Sequence, residues 1–139
     1  MDAAKDGNLD EVMRLLGAGA DPNGYKDSNE NTALLWVCSK NAAKAEEIAK
    51  IEEIAKILIR KGADIHAVNN LGENTPLIYA SSNGLKSVVS LLLSKGAIAQ
   101  HRNKEGKTAL DVATELQQTD TIKLLKDSKL EVRVCLSLE

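Results

Sequence analysis

Apolar residues recur along the chain in short clusters with helical spacing. The clearest cluster lies in the stretch SVVSLLLSKG, whose apolar positions are Val88, Val89, Leu91, Leu92 and Leu93. These positions cover a wide stripe, as expected of a helix packed between two neighbours. One helix pair cannot bury such a stripe alone, so the pattern predicts helices stacked in a continuous row.

The clusters belong to an internal repeat. The triplet GAD occurs twice, and a degenerate copy, GAI, occurs once. A threonine followed by a small residue or proline and then by leucine occurs at Thr32, Thr75 and Thr108. The last two threonines are 33 residues apart, whereas the first two are 43 apart. One unit therefore carries about ten extra residues.

Cap and turn residues mark where the helices begin and end. Threonine can cap a helix by accepting a hydrogen bond from a backbone N–H two or three residues on, and Pro76 suits the first helical position. The glycine of each GAD-type triplet is the second residue of an AG or KG pair at the predicted end of a helix. A residue with a positive φ is favoured at such an end. The sequence thus predicts two helices per unit, the first beginning just after the threonine.

These features resemble the ankyrin repeat family. The resemblance rests on the stretches AAKDGNLDEVMRLLGAGADPN, TALLWVCSK, IAKILIRKGADIH, TPLIYASSNGLKSVVSLLLSKGAIAQ and GKTALDVATELQQTDTIKLL, and it covers residues 3 to about 126. It implies an all-α repeat solenoid, a stack of about four ankyrin-like helix-turn-helix units in which the second unit has a lengthened second helix. The histidine that usually lies three residues after the threonine is replaced by Leu35, Ile78 and Asp111.

The repeat pattern predicts one ankyrin repeat domain, residues 1–127, followed by a tail, residues 128–139. The expected repeats span, in order, residues 1–24, 25–67, 68–101 and 102–127. In the tail, leucine and valine alternate with other residues, a period of two that is typical of a strand. We expect this tail to be disordered or to pair as an edge strand with a second copy, giving a homodimer.

The second unit contains a tandem duplication, EEIAKIEEIAKI. Alignment with the third unit places the extra residues at 45–53, and the sequence predicts one helix over residues 42–60 with Asn41 as its N-cap. Glu–Lys pairs four residues apart support this helix. Ile48 and Ile51 could form an exposed docking ridge or a homodimer contact. The alternative, which we favour, is a duplication by slippage or insertion that lengthens a helix tip without a function.

Composition and charge exclude several classes of protein. The 139-residue chain is 43% hydrophobic but only 2% aromatic, so its core must be built from small aliphatic side chains. A formal net charge of −2 lacks the basic surface expected of a nucleic-acid binder. No apolar run is long enough to cross a bilayer. We therefore expect an intracellular, cytoplasmic protein that binds neither nucleic acid nor membrane.

The sequence contains no recognisable catalytic motif. His66 and His101 follow the GAD-type turns and share no local motif with a nucleophile or carboxylate. Cys38 occupies a position where ankyrin helices usually carry a small buried alanine, which favours a packed thiol. Cys38 and Cys135 lack the spacing of a metal site or a disulfide framework. We expect no enzymatic activity, no catalytic residue, no metal and no cofactor.

Ankyrin repeats bind partner proteins, and the resemblance implies a binding surface on the concave face and the loop tips. Trp36 and Tyr79 each lie four residues after the threonine of their repeat, and Val112 has the same place in the fourth repeat. Aromatic residues are enriched as interface anchors. The same surface is expected to include four polar residues, Ser39, Lys40, Ser82 and Asn83. For Trp36, a core position covering the inner helix of its own repeat is an equal alternative.

The function that the sequence favours is a non-enzymatic protein–protein interaction module. Two alternatives remain open, an engineered or structural repeat scaffold without a dedicated partner and a regulatory fragment of a larger protein. The duplicated EEIAKI segment motivates the first alternative, and the start of the chain inside the first repeat motivates the second.

Overall fold

The computed structural model describes residues 9–24, 26–41 and 44–127. Within these residues the chain forms seven helices and no strand. The helices are α1 Leu9–Gly17, α2 Ala33–Ser39, α3 Ala45–Arg60, α4 Pro76–Ser82, α5 Lys86–Ser94, α6 Ala109–Glu115 and α7, residues 119–127. The predicted all-helical repeat fold is confirmed. The predicted strand-like tail and Cys135 lie outside the described residues.

Threonine caps begin the first helix of the second, third and fourth units, as the sequence predicts. The hydroxyl oxygens of Thr32 and Thr75 each accept a hydrogen bond at 3.2 Å from the backbone N–H three residues on. In the last unit, Thr108 accepts from the backbone N–H of Asp111 at 3.3 Å, and Asp111 accepts from the Thr108 N–H at 3.0 Å. This reciprocal capping box shows that the usual histidine is not needed to close the helix start.

The helices stack in two layers. The first helices α2, α4 and α6 contact one another in chain order, and α1, α3 and α5 form a second row in the same way. Within a unit, the two helices belong to different layers and pack against each other, α2 against α3 and α4 against α5. The core between them is aliphatic, and its largest fully buried apolar side chains are Leu34, Leu35, Val37, Ile54, Leu77, Leu85, Val88, Val89 and Leu92.

The turns after the second helices rely on glycine. Gly62 and Gly96 have φ values of 95° and 91°, in the left-handed region that side chains disfavour. Each closes its helix by donating a hydrogen bond from its backbone N–H, at 3.1 Å, to Ile59 O and Leu93 O respectively. These turns direct the chain into the loops that lead to the next threonine cap.

The predicted start of the long helix is wrong. Helix α3 begins at Ala45, and its N-cap is Lys44, whose backbone is extended and whose side chain makes no capping bond. Asn41 therefore does not cap this helix. The acidic side chains of Glu46 and Glu47 lie in the first turn. Their negative charges stabilise the positive end of the helix dipole, in the absence of a side-chain cap. The helix has 16 residues against nine in α5.

The exposed docking ridge, the less favoured of the two interpretations of this helix, is also wrong. Ile51 is only 6% exposed and belongs to the core, and Ile48 is half-buried against it. Ile51 precedes the buried Ile54 as Leu85, which is 1% exposed, precedes the buried Val88. The burial pattern therefore moves the extra residues from 45–53 to 42–50, and Ile51 is part of the repeat rather than of the protruding tip. It is not available as a dimer contact.

Candidate partner-binding face

The predicted anchor residues lie on successive helices of one layer. Trp36 is on α2, Tyr79 on α4 and Val112 on α6, and all three side chains are half-buried. Tyr79 and Val112 also pack against the edge of the core. Because the three helices are neighbours in the stack, these side chains recur once in each of the last three repeats along the layer. We call them the anchor row.

The ring of Trp36 is fixed by the loop that precedes its helix. Its indole N–H donates to Asp27 Oδ2 at 2.9 Å. Asp27 Oδ1 in turn accepts from the backbone N–H groups of Asn29 and Asn31, both at 2.9 Å. The backbone N–H of Asn31, followed by its side-chain amide, lowers the pKa of the Asp27 carboxyl despite an opposing effect of desolvation. The ionised carboxylate thus holds both the loop and the indole.

The ring of Tyr79 is held in a corresponding way. Its hydroxyl oxygen accepts a hydrogen bond at 2.8 Å from Asn69 Nδ2. Asn69 is only 2% exposed, and its Oδ1 accepts from the backbone N–H of Asn74 at 3.0 Å. The polar atoms of both aromatic side chains are therefore engaged with the loops of their own repeats.

Asparagine side chains join the loops of neighbouring repeats. Asn69 Nδ2 donates to Asn31 Oδ1 at 2.9 Å, and one repeat later Asn103 Nδ2 donates to Asn74 Oδ1 at 3.0 Å. Each receiving residue immediately precedes the threonine cap of its unit. We call this series the asparagine ladder. It fixes the loops beside the anchor row relative to one another, so this surface is ordered before any partner binds.

Three of the four predicted polar residues of the face make hydrogen bonds within the fold. The hydroxyls of Ser39 and Ser82 donate to the carbonyl oxygens of Trp36 and Tyr79, at 2.8 and 3.0 Å. Asn83 Nδ2 donates to Cys38 O at 2.7 Å and so closes the end of α2 from the next repeat. Lys40, the remaining one, is half-buried at the C-cap of α2.

Two exposed leucines near this face were not among the predicted residues. Leu71 is 70% exposed at the tip of the loop between the second and third repeats, and Leu116 is 56% exposed at the C-cap of α6. Leu116 lies eight residues after its threonine, as Lys40 and Asn83 do after theirs. No signal in the sequence singled out Leu71, because single exposed leucines are common on protein surfaces.

His66 and His101 line the same small cavity, and Cys38 lies in the core. His101 Nε2 bonds to Glu73 O at 2.9 Å and so joins two loops. Cys38 is fully buried, and desolvation raises the pKa of its thiol to about 12. Over residues 9–24, 26–41 and 44–127, no group of three or more His, Cys, Asp or Glu side chains could hold a metal ion. None of the described helices is both long and apolar enough to span a membrane.

Comparison with known proteins agrees with this architecture. A family model described as "Ankyrin repeats (3 copies)" matches residues 41–134, and one described as "Ankyrin repeats (many copies)" matches residues 1–51. The chain belongs to the ankyrin repeat family. Ankyrin repeats are generally protein–protein interaction modules and are typically non-enzymatic.

The chain is also similar to parts of much longer proteins. It is 34% identical over 73% of its length to the glycerophosphocholine phosphodiesterase gde1 of Schizosaccharomyces pombe, and 31% identical over 75% to the E3 ubiquitin-protein ligase KEG of Arabidopsis thaliana. It spans only 8% and 6% of the lengths of these two relatives. The aligned residues thus correspond to a small segment of each relative.

Proposed function

We propose that this ankyrin domain is a non-enzymatic module that binds a partner protein on the face formed by α2, α4 and α6 and by the adjoining loop tips. The observation that carries the proposal is the anchor row of Trp36, Tyr79 and Val112, in which loop side chains hold both aromatic rings. Rings that are already fixed lose little conformational freedom on binding. Such a surface suits recognition better than a mobile one.

The exposed leucines extend this surface at its edges. Leu71 offers an apolar contact at a loop tip, and Leu116 offers one at the end of α6. Interfaces commonly surround central anchors with such contacts, which exclude water from them.

Photo-crosslinking tests the proposed face. A photoreactive amino acid at Lys40 should capture a partner protein in cell extract, whereas the same group at the exposed Ser90 on α5 should capture none. The captured protein is then purified, and its binding to the wild type and to two alanine variants is measured by calorimetry. Leu116→Ala should weaken its binding about tenfold, which corresponds to about 1.4 kcal/mol.

Met13→Ala provides the matched control. Met13 is 53% exposed on α1, in the other helix layer, so the truncation removes a comparable apolar surface away from the proposed face. This variant should bind as the wild type does. Equal losses in both variants, or crosslinking only at Ser90, would contradict the proposed face.

A further inference from the structure

The side chain of Asn23 joins the turns of the first two repeats. Its Nδ2 donates to Gly62 O at 2.9 Å, and its Oδ1 accepts from the backbone N–H of Asp64 at 2.7 Å. The backbone N–H of Asn23 donates to Asp21 Oδ1 at 2.9 Å. We call these contacts the Asn23 clasp. All of the residues that form it are exposed to solvent.

Asn23 is followed by glycine, and this dipeptide has a characteristic reactivity. Because Gly24 has no Cβ, its backbone nitrogen can approach Asn23 Cγ with little steric hindrance. Attack forms an N–Cγ bond and breaks the Cγ–Nδ2 bond, and the amide leaves as ammonia with the proton from Gly24 N. Water then opens the resulting cyclic imide. Addition at Cγ gives aspartate, and addition at the other carbonyl gives isoaspartate.

We propose that Asn23 is a site of spontaneous deamidation in the folded protein, and that the reaction releases the clasp between the first two repeats. Only surface hydrogen bonds have to open before Cγ becomes reachable, and such local opening requires little free energy. Gly24 is exposed, and its N–H donates to Asp21 O in the same turn at 3.1 Å.

The chain contains a second Asn-Gly pair, Asn83-Gly84, which serves as an internal comparison. Asn83 is half-buried, and its Nδ2 bonds to Cys38 O at 2.7 Å. Gln118 packs against Gly84 so closely that a Cβ there would lie 2.5 Å from Gln118 Oε1. Reaction at Asn83 therefore requires the separation of packed repeats. The two sites share the same chemistry and differ only in their surroundings.

The aspartate product cannot re-form the whole clasp, although it can still accept from the backbone N–H of Asp64. A carboxylate at position 23 has no hydrogen to donate to Gly62 O, so two acceptor oxygens would face each other. The new negative charge also lies close to Asp21 and Asp64, which bond through the same clasp. Like charges at this spacing repel each other, so the first repeat loses a link to the second and gains a repulsion.

Peptide mapping by mass spectrometry tests the site assignment. The purified protein is aged at mildly alkaline pH, folded or in denaturant, and digested with trypsin. Residues 15–26 then carry Asn23, and residues 62–86 carry Asn83, with fragment ions locating the conversion. In denaturant both asparagines should react at similar rates. In the folded protein, Asn23 should react at least about tenfold faster than Asn83. Equal folded-state rates, or a folded Asn23 that does not react, would overturn the assignment.

Two substitutions test the consequence for the clasp. Asn23→Asp imitates one product, and Asn70→Asp adds the same charge in the next loop, where Asn70 bridges to Asn29 O through a backbone N–H that the change leaves in place. Asn23→Asp should lower the Tm by about 3 to 5 °C relative to Asn70→Asp. Identical melting curves for the two variants would show that the clasp does not join the repeats.

Discussion

Trp36 and Tyr79 occupy equivalent positions, but the polar atom of Trp36 donates a hydrogen bond whereas that of Tyr79 accepts one. The indole N–H can only donate, and it meets the carboxylate of Asp27; the tyrosine oxygen accepts from the amide of Asn69. Each loop residue thus matches the hydrogen-bonding chemistry of its aromatic partner. The repeat spacing alone predicted that the two rings share a face. It did not predict these bonds, because the partners lie nine and ten residues away in irregular loops.

The buried thiol of Cys38 should make the protein sensitive to alkaline pH. Burial raises its pKa from 9.0 to about 12, so the folded state keeps the proton that the unfolded state releases. The contribution of the protonated Cys38 thiol to the stability of the fold is complete below pH 9.0 and is lost as the pH rises toward about 12. Between about pH 8 and pH 10, the wild type should lose about 1.4 kcal/mol more unfolding free energy than Cys38→Ala. Denaturant titrations measure this, and parallel pH profiles would contradict it.

Glu73 occupies a backbone conformation that favours glycine. It lies two residues before Thr75 with a φ of 54°, and Gly106, two residues before Thr108, has a φ of 78°. Glu73→Gly should therefore raise the free energy of unfolding by about 0.5 to 1 kcal/mol, since the relief of left-handed strain exceeds the added chain entropy. Chemical denaturation measures the change. Lys104→Gly, an exposed loop position outside that region, should give no gain; a gain there as large would refute the explanation.

At the scale of the helices, the sequence predicted best what local contacts decide. The starts at Thr32, Thr75 and Thr108 were correct because a threonine hydroxyl bonds its own first turn. The start of α3 was missed because Asn41 has a high capping propensity, whereas the helix begins at Ala45 with an acidic first turn. The burial of Ile51 was missed because it depends on the neighbouring repeats. Local sequence patterns do not contain that information.

Deletion of residues 52–57 should shorten α3 without removing its repeat register. The remaining EEIAKI copy then occupies the same positions before Leu58, but Ala45 takes the place of the buried Ile51. We expect a folded protein whose free energy of unfolding is lower by about 2 to 4 kcal/mol, the usual cost of truncating a buried isoleucine to alanine. Circular dichroism and chemical denaturation test both parts of this expectation.

Two further variants identify the cause of that loss. Ile51→Ala in the full-length chain should cost a similar amount, because it creates the same vacancy at full helix length. Ala45→Ile within the deletion variant should restore most of the lost stability. A deletion variant that is unfolded, or that Ala45→Ile fails to improve, would mean that the helix tip at residues 45–50 itself stabilises the stack.

At the scale of the whole molecule, neighbouring repeats are coupled both through their helices and through their loops. The helices share an aliphatic core, which the apolar pattern predicted, and the loops share the asparagine ladder, which it did not. The ladder joins Asn69 to Asn31, 38 residues earlier, and Asn103 to Asn74, 29 residues earlier. In a repeat protein, stability is roughly a sum of repeat and interface contributions, so each of these links affects how cooperatively the stack unfolds.

Asn69 should be the ladder residue on which this cooperativity depends most. Its side chain bonds to Asn31, to Tyr79 and to the backbone of its own loop, and it is almost completely buried. Asn69→Ala leaves several of these groups without partners, so it should lower the free energy of unfolding by about 2 to 3 kcal/mol. Because the second and third repeats then couple less strongly, the urea transition should also broaden, with a lower m value. Asn103→Ala removes one inter-repeat bond and two bonds from the backbone of its own loop. Because Asn103 is less buried and nearer the end of the stack, this change should cost less and leave the m value unchanged. Equal effects of the two substitutions on stability and m value would show that the helix core alone couples the repeats.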